Sequence, residues 1–292
     1  MKNLFLLAVT LVLTAQNVNA QYSATPYDSK DMIAFSQSKK TYGILIGDAN
    51  YDNALKAAMG SIWKLTPVDY ITWEEFEKNY NQPENSFIAP CGFKYLKKKN
   101  KFEVILDDYS YLALFNGTKK EFNRFTYDDV LAYCPLDVFA GTEYDLVSAY
   151  KRMPLLIANL QNAINLVKEQ KIGGSSLNMV NKFKEIYNKE TKTLKTKILL
   201  INSDRKGGIE ESDIKKVYSN KFEYVPASKI EEAIKNKDPK YAIYVTAATK
   251  NKSMFVFDAA TYKCIYAEYQ ISGYNVKEKD FEDLTNKIQG KK

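Results

Sequence analysis

The sequence predicts an α/β protein of the α+β kind, with two similar β-α-β-α-β-β-β lobes joined by a helical hairpin. An apolar, strand-like run begins at Tyr42 and another begins at Ile198, and the same succession of helical and strand-like segments follows each. In both copies a capping-box pattern precedes the second helix, since Thr72 and Ser228 are each followed by Glu three residues later. The shared order favours an internal duplication over chance agreement of common α/β signals.

Residues 1–20 have the pattern of a secretory signal peptide. Lys2 precedes an apolar run from Leu4 to Leu13, and small residues lead up to Ala20. The run is too short to span a membrane as a helix, which disfavours a membrane anchor, and no later run reaches about 18 apolar residues. We therefore expect cleavage after Ala20, a periplasmic or secreted location, and no membrane span.

Residues 21–40 are polar and typical of a flexible lead-in, and residues 41–141 form the first predicted α/β repeat. The apolar residues of this repeat change between the strand period and the helix period. The predicted elements are strand Tyr42–Ile46, helix Asn53–Lys64, strand Val68–Ile71, helix Trp73–Tyr80, and strands Ser86–Ala89, Phe102–Leu106 and Tyr111–Phe115. An aromatic-rich extension at residues 122–139 follows these strands.

Residues 142–196 are predicted to form a helical hairpin that connects the repeats. Apolar residues spaced by four and three make a seam typical of packed helices. They are Leu146, Tyr150, Met153, Ile157, Leu160, Ile164 and Val167. Pro154 is expected to kink this helix or to break it early. The turn at Gly173 and Gly174 favours an αα-hairpin, and a dimer formed through these helices is the alternative.

Residues 197–292 form the second predicted α/β repeat, which ends in a C-terminal helix. The predicted elements are strand Ile198–Ile201, helix Glu211–Tyr218, strand Phe222–Val225, helix Lys229–Lys235, strands Tyr241–Thr246, Ser253–Phe257 and Cys264–Ala267, and helix Glu278–Ile288. Equivalent repeats should superpose three pairs of apolar residues, and they should make both Thr72 and Ser228 helix N-caps. The pairs are Ile44 with Leu199, Phe76 with Ile230, and Ile88 with Ile243.

The composition excludes several kinds of catalytic site. The chain has no histidine, which removes Ser-His-Asp and Cys-His nucleophilic pairs and histidine-ligated zinc. Its three cysteines lack the CxxC spacing of thioredoxin-type redox sites. Cys91 and Cys134 lie in the same repeat, and the sequence leaves open whether they pair. Cys264 is typical of a small buried apolar residue.

The net charge of +7 does not indicate a nucleic-acid partner. Lys97–Lys99 is the densest basic run, whereas a nucleic-acid surface needs more basic residues on one face. The run favours a solvated turn between two strands.

The loops that open the two repeats carry weak ligand-binding patterns. Asp48, Asn50 and Asp52 are spaced like the start of a calcium loop, but Met59 stands where that loop needs a bidentate Glu. The same residue types also cap helices, so calcium binding stays open. Residues 205–208, with the sequence Arg-Lys-Gly-Gly, form the equivalent turn, which lacks the glycine patterns of nucleotide sites. We expect no cofactor and no metal at these loops.

Paired acidic residues are the basis for a rival prediction, a hydrolase. The pairs are Asp107 with Asp108, Asp128 with Asp129, and Glu210 with Glu211. Adjacent residues of a strand point to opposite faces, so one pair does not converge on a substrate. A hydrolase would need acids from different elements, such as Asp107 or Asp128, to face one another across a cleft. For these acidic pairs, roles in turns and helix caps are favoured over a catalytic role.

An aromatic cluster lies outside the repeat pattern and is the region where we expect a binding surface. Its members are Phe122, Phe125, Tyr127, Tyr133 and Phe139. Most aromatic residues of a chain with many strands belong to its core, whereas exposed Tyr suits protein or sugar contacts. A surface adhesin that uses Phe125 and Tyr127 is therefore a further alternative.

The second repeat ends in three strands in which Asp258, Thr261 and the run Cys264–Ala267 occupy characteristic positions. This ending resembles the N-terminal domain of TolB and related curli-secretion domains, and the likeness covers about 70 residues in each repeat. The family's turn glycine is Tyr262 here, and Lys263 stands where the family has a small or acidic residue. The resemblance implies an envelope-associated, non-catalytic domain used in protein assembly, and it transfers no site residue.

These features predict an exported, non-catalytic envelope or secreted protein that acts by protein or ligand binding and assembly. We expect a protein partner in the cell envelope, and we assign no catalytic residue, no cofactor and no metal. A hydrolase of an envelope or extracellular polymer is the alternative.

Overall fold

The computed structural model describes most of the chain. The described residues are 10–14, 35, 37–99, 102–120, 130–137, 150–170, 172, 176–203, 209–248, 252–270 and 276–291. They form a mixed α/β protein with two mixed sheets and several helices, as the sequence predicts at this level. No helix within these ranges is long and apolar enough to cross a membrane.

The first sheet contains six strands. They are β1 (Thr10–Thr14), β2 (Lys40–Leu45), β3 (Val68–Thr72), β4 (Asn85–Lys99), β5 (Phe102–Asn116) and β6 (Val130–Asp137). Five of them lie in the order β3-β2-β4-β5-β6, while β1 pairs with β4 only. β2 runs parallel to β3 and β4, whereas β5 is antiparallel to both of its neighbours.

The second sheet repeats this order and these directions. Its strands are β7 (Ile198–Asn202), β8 (Phe222–Val225), β9 (Tyr241–Ala248), β10 (Lys252–Asp258) and β11 (Cys264–Gln270). They lie in the order β8-β7-β9-β10-β11. β7 runs parallel to β8 and β9, and β10 is antiparallel to both β9 and β11.

Amphipathic helices cover the sheets. They are α1 (Ala49–Ile62), α2 (Trp73–Asn79), α3 (Met153–Gln170), α4 (Ser176–Lys189), α5 (Glu211–Val217), α6 (Ala227–Asn236) and α7 (Glu278–Gln289), with a 3-10 helix at Thr191–Thr196. α1 shows why they form, since Tyr51, Leu55 and Met59 recur every four residues and are all fully buried. α1 packs against α3, and in the same way α5 packs against α7.

The antiparallel strands of the first sheet differ from the prediction. The predicted strands Phe102–Leu106 and Tyr111–Phe115 are two halves of β5, and the predicted strand Ser86–Ala89 continues through β4 to Lys99. The last strand of the sheet is β6, which lies within the predicted aromatic extension. The sequence divided β5 at Asp107 because charged residues interrupt its apolar run.

The strand register contradicts two of the three predicted superpositions. Gly43 lies opposite Ile88. A Cβ at Gly43 would lie 2.7 Å from the sulfur of a methionine in α1, so the close approach of this helix requires glycine. Gly43 and Ile88 therefore face α1, and Ile44 faces the other side of the sheet.

In the second sheet, Leu199 packs on the side of α5, whereas Leu200 and its partner Ile243 pack on the side of α6. If α1 corresponds to α5, the predicted pairs of Ile44 with Leu199 and of Ile88 with Ile243 join residues on opposite faces, and both are wrong.

The helix starts confirm one of the two predicted N-caps. The hydroxyl of Thr72 accepts the N–H of Glu75 at 3.2 Å, and the Glu75 carboxylate accepts the N–H of Thr72 at 2.8 Å. The prediction for Ser228 is wrong, because α6 begins at Ala227 after Pro226 and Ser228 is its second residue. Phe76 and Ile230 are nevertheless both the fourth residue of their helices, and both are buried.

The two connector helices lie against different sheets. α3 packs on β6 and also contacts α6, whereas α4 packs on β11. The seam of α3 is buried within the chain at Met153, Ile157 and Ile164. Pro154 lies in the first turn of α3, where its missing N–H leaves no helical hydrogen bond unmade. A turn at Arg152 separates α3 from helical residues 150 and 151, so the helix is broken at this point, which is one of the two predicted outcomes. The folding of α3 and α4 into an αα-hairpin stays a prediction.

Two hydrophobic clusters form the core of the described chain. The larger cluster continues from the first sheet through Leu156 of α3 to Leu200 and Phe257 of the second sheet. The smaller cluster lies on the opposite face of the second sheet, where Leu199 packs with Phe281 of α7. Leu199 and Leu200 fall into different clusters because successive residues of a strand point to opposite faces.

Candidate functional site

Ligand sites of open α/β sheets lie beyond the carboxyl ends of the parallel strands, at the point where the strand order reverses. In the first sheet this point is the turn between β2 and α1, where Gly47 adopts a φ of 81° and Asp48 caps the helix. The equivalent turn of the second sheet begins at Ser203. Residues 205–208 of that turn, which include the basic Arg205 and Lys206, lie outside the described residues.

The acidic residues at the β2–α1 turn bind the backbone of the chain itself. The Asp48 carboxylate accepts the N–H of Tyr51 at 2.9 Å, and the Asp52 carboxylate accepts the N–H of Ile46 at 2.9 Å. Asn50 is the second residue of α1. A calcium loop needs these residues in an irregular loop, whereas most of this segment is helical, which favours the capping role. Within the described ranges no three potential metal-ligating residues are grouped to hold an ion.

Tyr51 and Cys91 provide the uncharged groups near this turn. Tyr51 is fully buried, and its hydroxyl has no hydrogen-bond partner among the described residues. Burial raises the pKa of Tyr51, and it raises the pKa of the Cys91 thiol to about 12. Both groups are therefore neutral near pH 7, and Cys91 lacks the thiolate that a nucleophile requires.

Cys91 and Cys134 do not form a disulfide. Cys91 lies on β4 opposite Tyr111 of β5, and Cys134 lies on β6 opposite Leu112 of β5. The intervening strand places β4 and β6 about 10 Å apart, whereas a disulfide needs Cα atoms within about 7 Å. Cys264 is also a free thiol, and burial raises the pKa of Cys134 and Cys264.

The acidic pairs of the hydrolase prediction are not brought together in the described chain. Glu210 is the residue before α5, and Glu211 begins that helix. Asp107 and Asp108 are successive residues of β5, far along the sequence from α5 and in the other sheet. Asp128 lies outside the described residues.

Carboxyl groups with a clearly shifted pKa are all shifted downward in the described chain. Hydrogen bonds from lysines lower the pKa of Asp69 and Asp213. Burial opposes the shift of Asp258, but a lysine and backbone N–H groups still lower its pKa. The lysines are Lys40, Lys216 and Lys197, respectively. A general acid needs a raised pKa, so these three carboxylates serve as ion-pair partners.

The described part of the predicted aromatic cluster belongs to the core. Tyr133 of β6 is buried, and its ring lies edge-to-face with the ring of Tyr111 at a centroid distance of 5.0 Å. The other members of the cluster, Phe122, Phe125, Tyr127 and Phe139, lie outside the described residues.

A long hairpin distinguishes the first sheet from the second. β4 and β5 have 15 residues each, whereas β9 and β10 have 8 and 7. β2 pairs with β4 only as far as Ile88, and β6 pairs with β5 only as far as Ser110. Gly92–Lys99 and Phe102–Tyr109 therefore extend beyond β2 and beyond the described part of β6 as a hairpin arm about 27 Å long, whose outer β4 edge pairs with β1 from Gly92 to Leu96.

The sequence signals for this hairpin arm are misleading. Pro90 and Gly92 are residues that usually end a strand. Here Pro90 pairs with Leu112 of β5 on one side, and on the other side it lies just beyond Ile88, the last residue that pairs with β2. Proline is tolerated at this point because that edge of β4 has no β2 partner for a missing N–H to serve.

Comparisons with protein-family models, with curated proteins and with solved structures each found no match to this chain.

Proposed function

We propose that this chain is an exported, non-catalytic envelope or secreted protein that acts by binding and assembly with a protein partner. The signal-peptide pattern of residues 1–20 supports export, and the absence of histidine argues against the commonest nucleophilic sites. The acidic residues at the β2–α1 turn and at the start of α5 cap helices or lie at helix starts, which supports a structural role.

The proposal includes a duplicated origin for the fold. We define the first unit as β2 to α3 and the second unit as β7 to α7. The two sheets share strand order and strand directions, and the last helix of each unit packs on its first helix. A β-α-β-α-β-β-β-α unit present twice accounts for both similarities. Two such lobes, joined through α4, are the layout that we propose.

The resemblance to TolB-type and curli-secretion domains is part of the proposal. In the turn after β10, the Asp258 carboxylate accepts the N–H groups of Ala260 and Thr261 at 2.9 and 3.0 Å. Tyr262 has a φ of 60°, and this is the position of the glycine in the family pattern. The backbone there adopts the conformation that glycine favours, which supports the likeness although the residue differs.

The observation that carries the proposed function is the hairpin arm. The two units differ most, within the described residues, in the length of the hairpin formed by the strands at the third and fourth positions of each sheet. A duplicated scaffold does not need the extension for its own sheet, since neither β2 nor the described part of β6 reaches it. Contact with a partner gives the extension a role.

Removal of the hairpin arm tests this proposal. Cys91 lies opposite Tyr111 in a pair that exchanges hydrogen bonds, because the nitrogen of the preceding Pro90 faces away from β5. An Asn-Gly turn that replaces residues 92–110 would therefore close a regular two-residue hairpin. In the matched control, Asn-Gly replaces residues 249–251 between Ala248 and Lys252, which also lie opposite one another. Both variants should keep the circular dichroism of the parent protein.

The variants are immobilised and exposed to envelope extracts, and the retained proteins are quantified by mass spectrometry. The parent and the control should retain the same partner, and the variant without the arm should lose it. Equal retention by all three proteins would contradict the role of the hairpin arm. Turnover of a polysaccharide or peptide substrate panel by the purified parent would support the rival hydrolase prediction instead.

A further inference from the structure

The outer edge of β4 along the hairpin arm is paired with a strand that the sequence predicts to be removed. Thr10–Thr14 run parallel to β4, with Thr10 opposite Gly92 and Thr14 opposite Leu96. Cleavage after Ala20 would remove this strand and leave Gly92–Leu96 without a neighbour on that side. An unpaired strand edge presents a row of N–H and C=O groups that another strand is able to bind.

The position of Pro90 shows which backbone groups face this edge. Backbone groups of successive strand residues point alternately to the two neighbouring strands. Proline has no N–H to donate, so its nitrogen faces the side where no ladder bond is needed, away from β5. Gly92 and Lys94 follow Pro90 by two and four residues, and their N–H groups therefore face the same outer edge.

We propose that this edge of β4 is a strand-binding site in the mature protein, which binds an extended, uncharged, β-branched segment of a partner protein in parallel orientation. The sequence Thr-Leu-Val-Leu-Thr of residues 10–14 shows the composition that fits the edge. Strand addition of this kind obtains its affinity from main-chain hydrogen bonds. The inference rests on the proposed export of the protein, and it names the binding mode of the hairpin arm.

The charge of β4 favours a different protein over a second copy as the partner. Lys94 and Lys97–Lys99 lie on this strand, and lysine on an edge strand opposes pairing between two identical edges. In the register of Thr10–Thr14, the three residues after the apolar segment would run alongside Lys97–Lys99. The partner segment should therefore carry acidic residues directly after its apolar residues.

A synthetic peptide tests the site on the protein from Gln21 to Lys292. The probe is acetylated Val-Thr-Leu-Val-Leu-Thr-Glu-Glu-Glu with a fluorescent label, and its binding is measured by fluorescence anisotropy. The mature chain should bind it saturably. The full chain, whose own strand occupies the edge, should bind it at least tenfold more weakly. Replacement of the three Glu by Lys should weaken binding at low salt. Absent binding, or equal binding by the full chain, would overturn the proposal.

Backbone methylation of the peptide tests the binding mode. Only alternate residues of an added strand donate their N–H groups to the edge. One probe is N-methylated at the residues equivalent to Leu11 and Leu13, and the other at those equivalent to Thr10, Val12 and Thr14. One of the two should lose at least tenfold in affinity, while the other should bind as the parent peptide does. Equal affinities for both probes would exclude strand addition.

Two variants at one residue test the protein side. Lys94→Ala keeps the outward N–H and should change the affinity for the peptide by less than threefold. Lys94→Pro removes that N–H without removing a bond to β5, and it should weaken peptide binding at least tenfold at an unchanged melting temperature. Equal affinities for the two variants would contradict the site. If Lys94→Pro unfolds the arm, the N-methylated peptides still test whether the peptide binds by strand addition.

The outcomes separate this inference from the proposed function. If the arm is needed to retain a partner from extracts but the mature chain does not bind the peptide, the proposed function stands and strand binding is wrong. If sedimentation equilibrium shows a dimer of the mature chain that the peptide dissociates, the occupant is a second copy and the assignment to a different protein is wrong.

Discussion

Replacement of Thr72 by Ala should destabilise the protein by about 1 kcal/mol, because one N–H of the first turn of α2 loses its partner. The substitution removes the bond from the Glu75 N–H to the Thr72 hydroxyl, at 3.2 Å, and the exposed bond that this hydroxyl donates to the Glu75 carboxylate, also at 3.2 Å. The reciprocal bond from the Thr72 N–H to the Glu75 carboxylate, at 2.8 Å, does not use the removed atom. Thr72 is exposed, so its replacement by Ala removes little buried surface. The change in the free energy of unfolding therefore measures the contribution of the helix cap.

Ser228→Ala is the matched control. Ser228 is also exposed, but it lies inside α6, whose N-cap Pro226 makes no side-chain bond. Alanine favours a helix more than serine does, by about 0.5 kcal/mol or less, so the free energy of unfolding should stay equal or rise slightly.

Urea unfolding followed by circular dichroism measures the free energy of unfolding of both variants, and a thermal scan measures their melting temperatures. The loss at Thr72 should lower the melting temperature by about 2–4 °C in a chain of this size. Equal losses for both variants, or a loss at Ser228 alone, would refute the assignment of the two helix starts.

Further tests use two glycines, the ion pair of Asp258 and the partly buried thiol of Cys91. Gly117→Ala would place a Cβ 1.9 Å from a backbone oxygen and should destabilise the protein by about 3 kcal/mol. Gly60→Ala in α1 meets no atom closer than 3.9 Å and should stabilise it by about 0.5–1 kcal/mol; urea midpoints compare the two. Asp258→Asn breaks the 2.7 Å pair with Lys197 and should cost about 1–3 kcal/mol at pH 7. Since the pKa of Asp258 is lowered in the folded state, this difference should disappear as the pH falls below about 4 and should persist at neutral pH. Cys91 should resist iodoacetamide at pH 8 until urea unfolds the chain, and rapid native alkylation would contradict its raised pKa.

The second sheet could be predicted almost strand by strand. Its strands are short apolar runs bounded by turn residues, such as Pro239 before β9 and Asp258 at the end of β10. The start of α2 was equally clear because Thr72 and Glu75 form a capping box, a local pattern that depends on four successive residues. Local signals of this kind predict the folded structure correctly where the tertiary contacts favour the same conformation.

The failures arise where tertiary contacts decide. β5 continues through Asp107 and Asp108 because a long partner strand pairs with it, and no local signal contains that partner. The sequence paired Ile44 with Leu199, but Ile44 faces away from α1 whereas Leu199 packs on the side of α5, because Gly43 is the residue that faces α1. Ser228 is a residue type typical of N-caps, but the chain leaves β8 through Pro226, and the helix starts at Ala227, two residues before the predicted start.

The candidate site could be predicted less well than the fold. The residues at the β2–α1 turn were found by their spacing, but the sequence could not decide between calcium binding and capping, since this depends on where α1 begins. The hairpin arm was missed because Pro90 and Gly92 resemble a strand end, and only the absence of β2 beyond Ile88 makes them compatible with a strand.

Hydrogen exchange followed by mass spectrometry tests most directly whether one folding unit occurs twice. Strands bonded on both sides exchange more slowly than edge strands. The account predicts the same ranking in both units, with β2 and β7 among the slowest segments and the edge strands β3 and β8 clearly faster. A ranking in which β8 is protected as strongly as β7, or in which β2 exchanges as fast as β3, would contradict the duplicated unit.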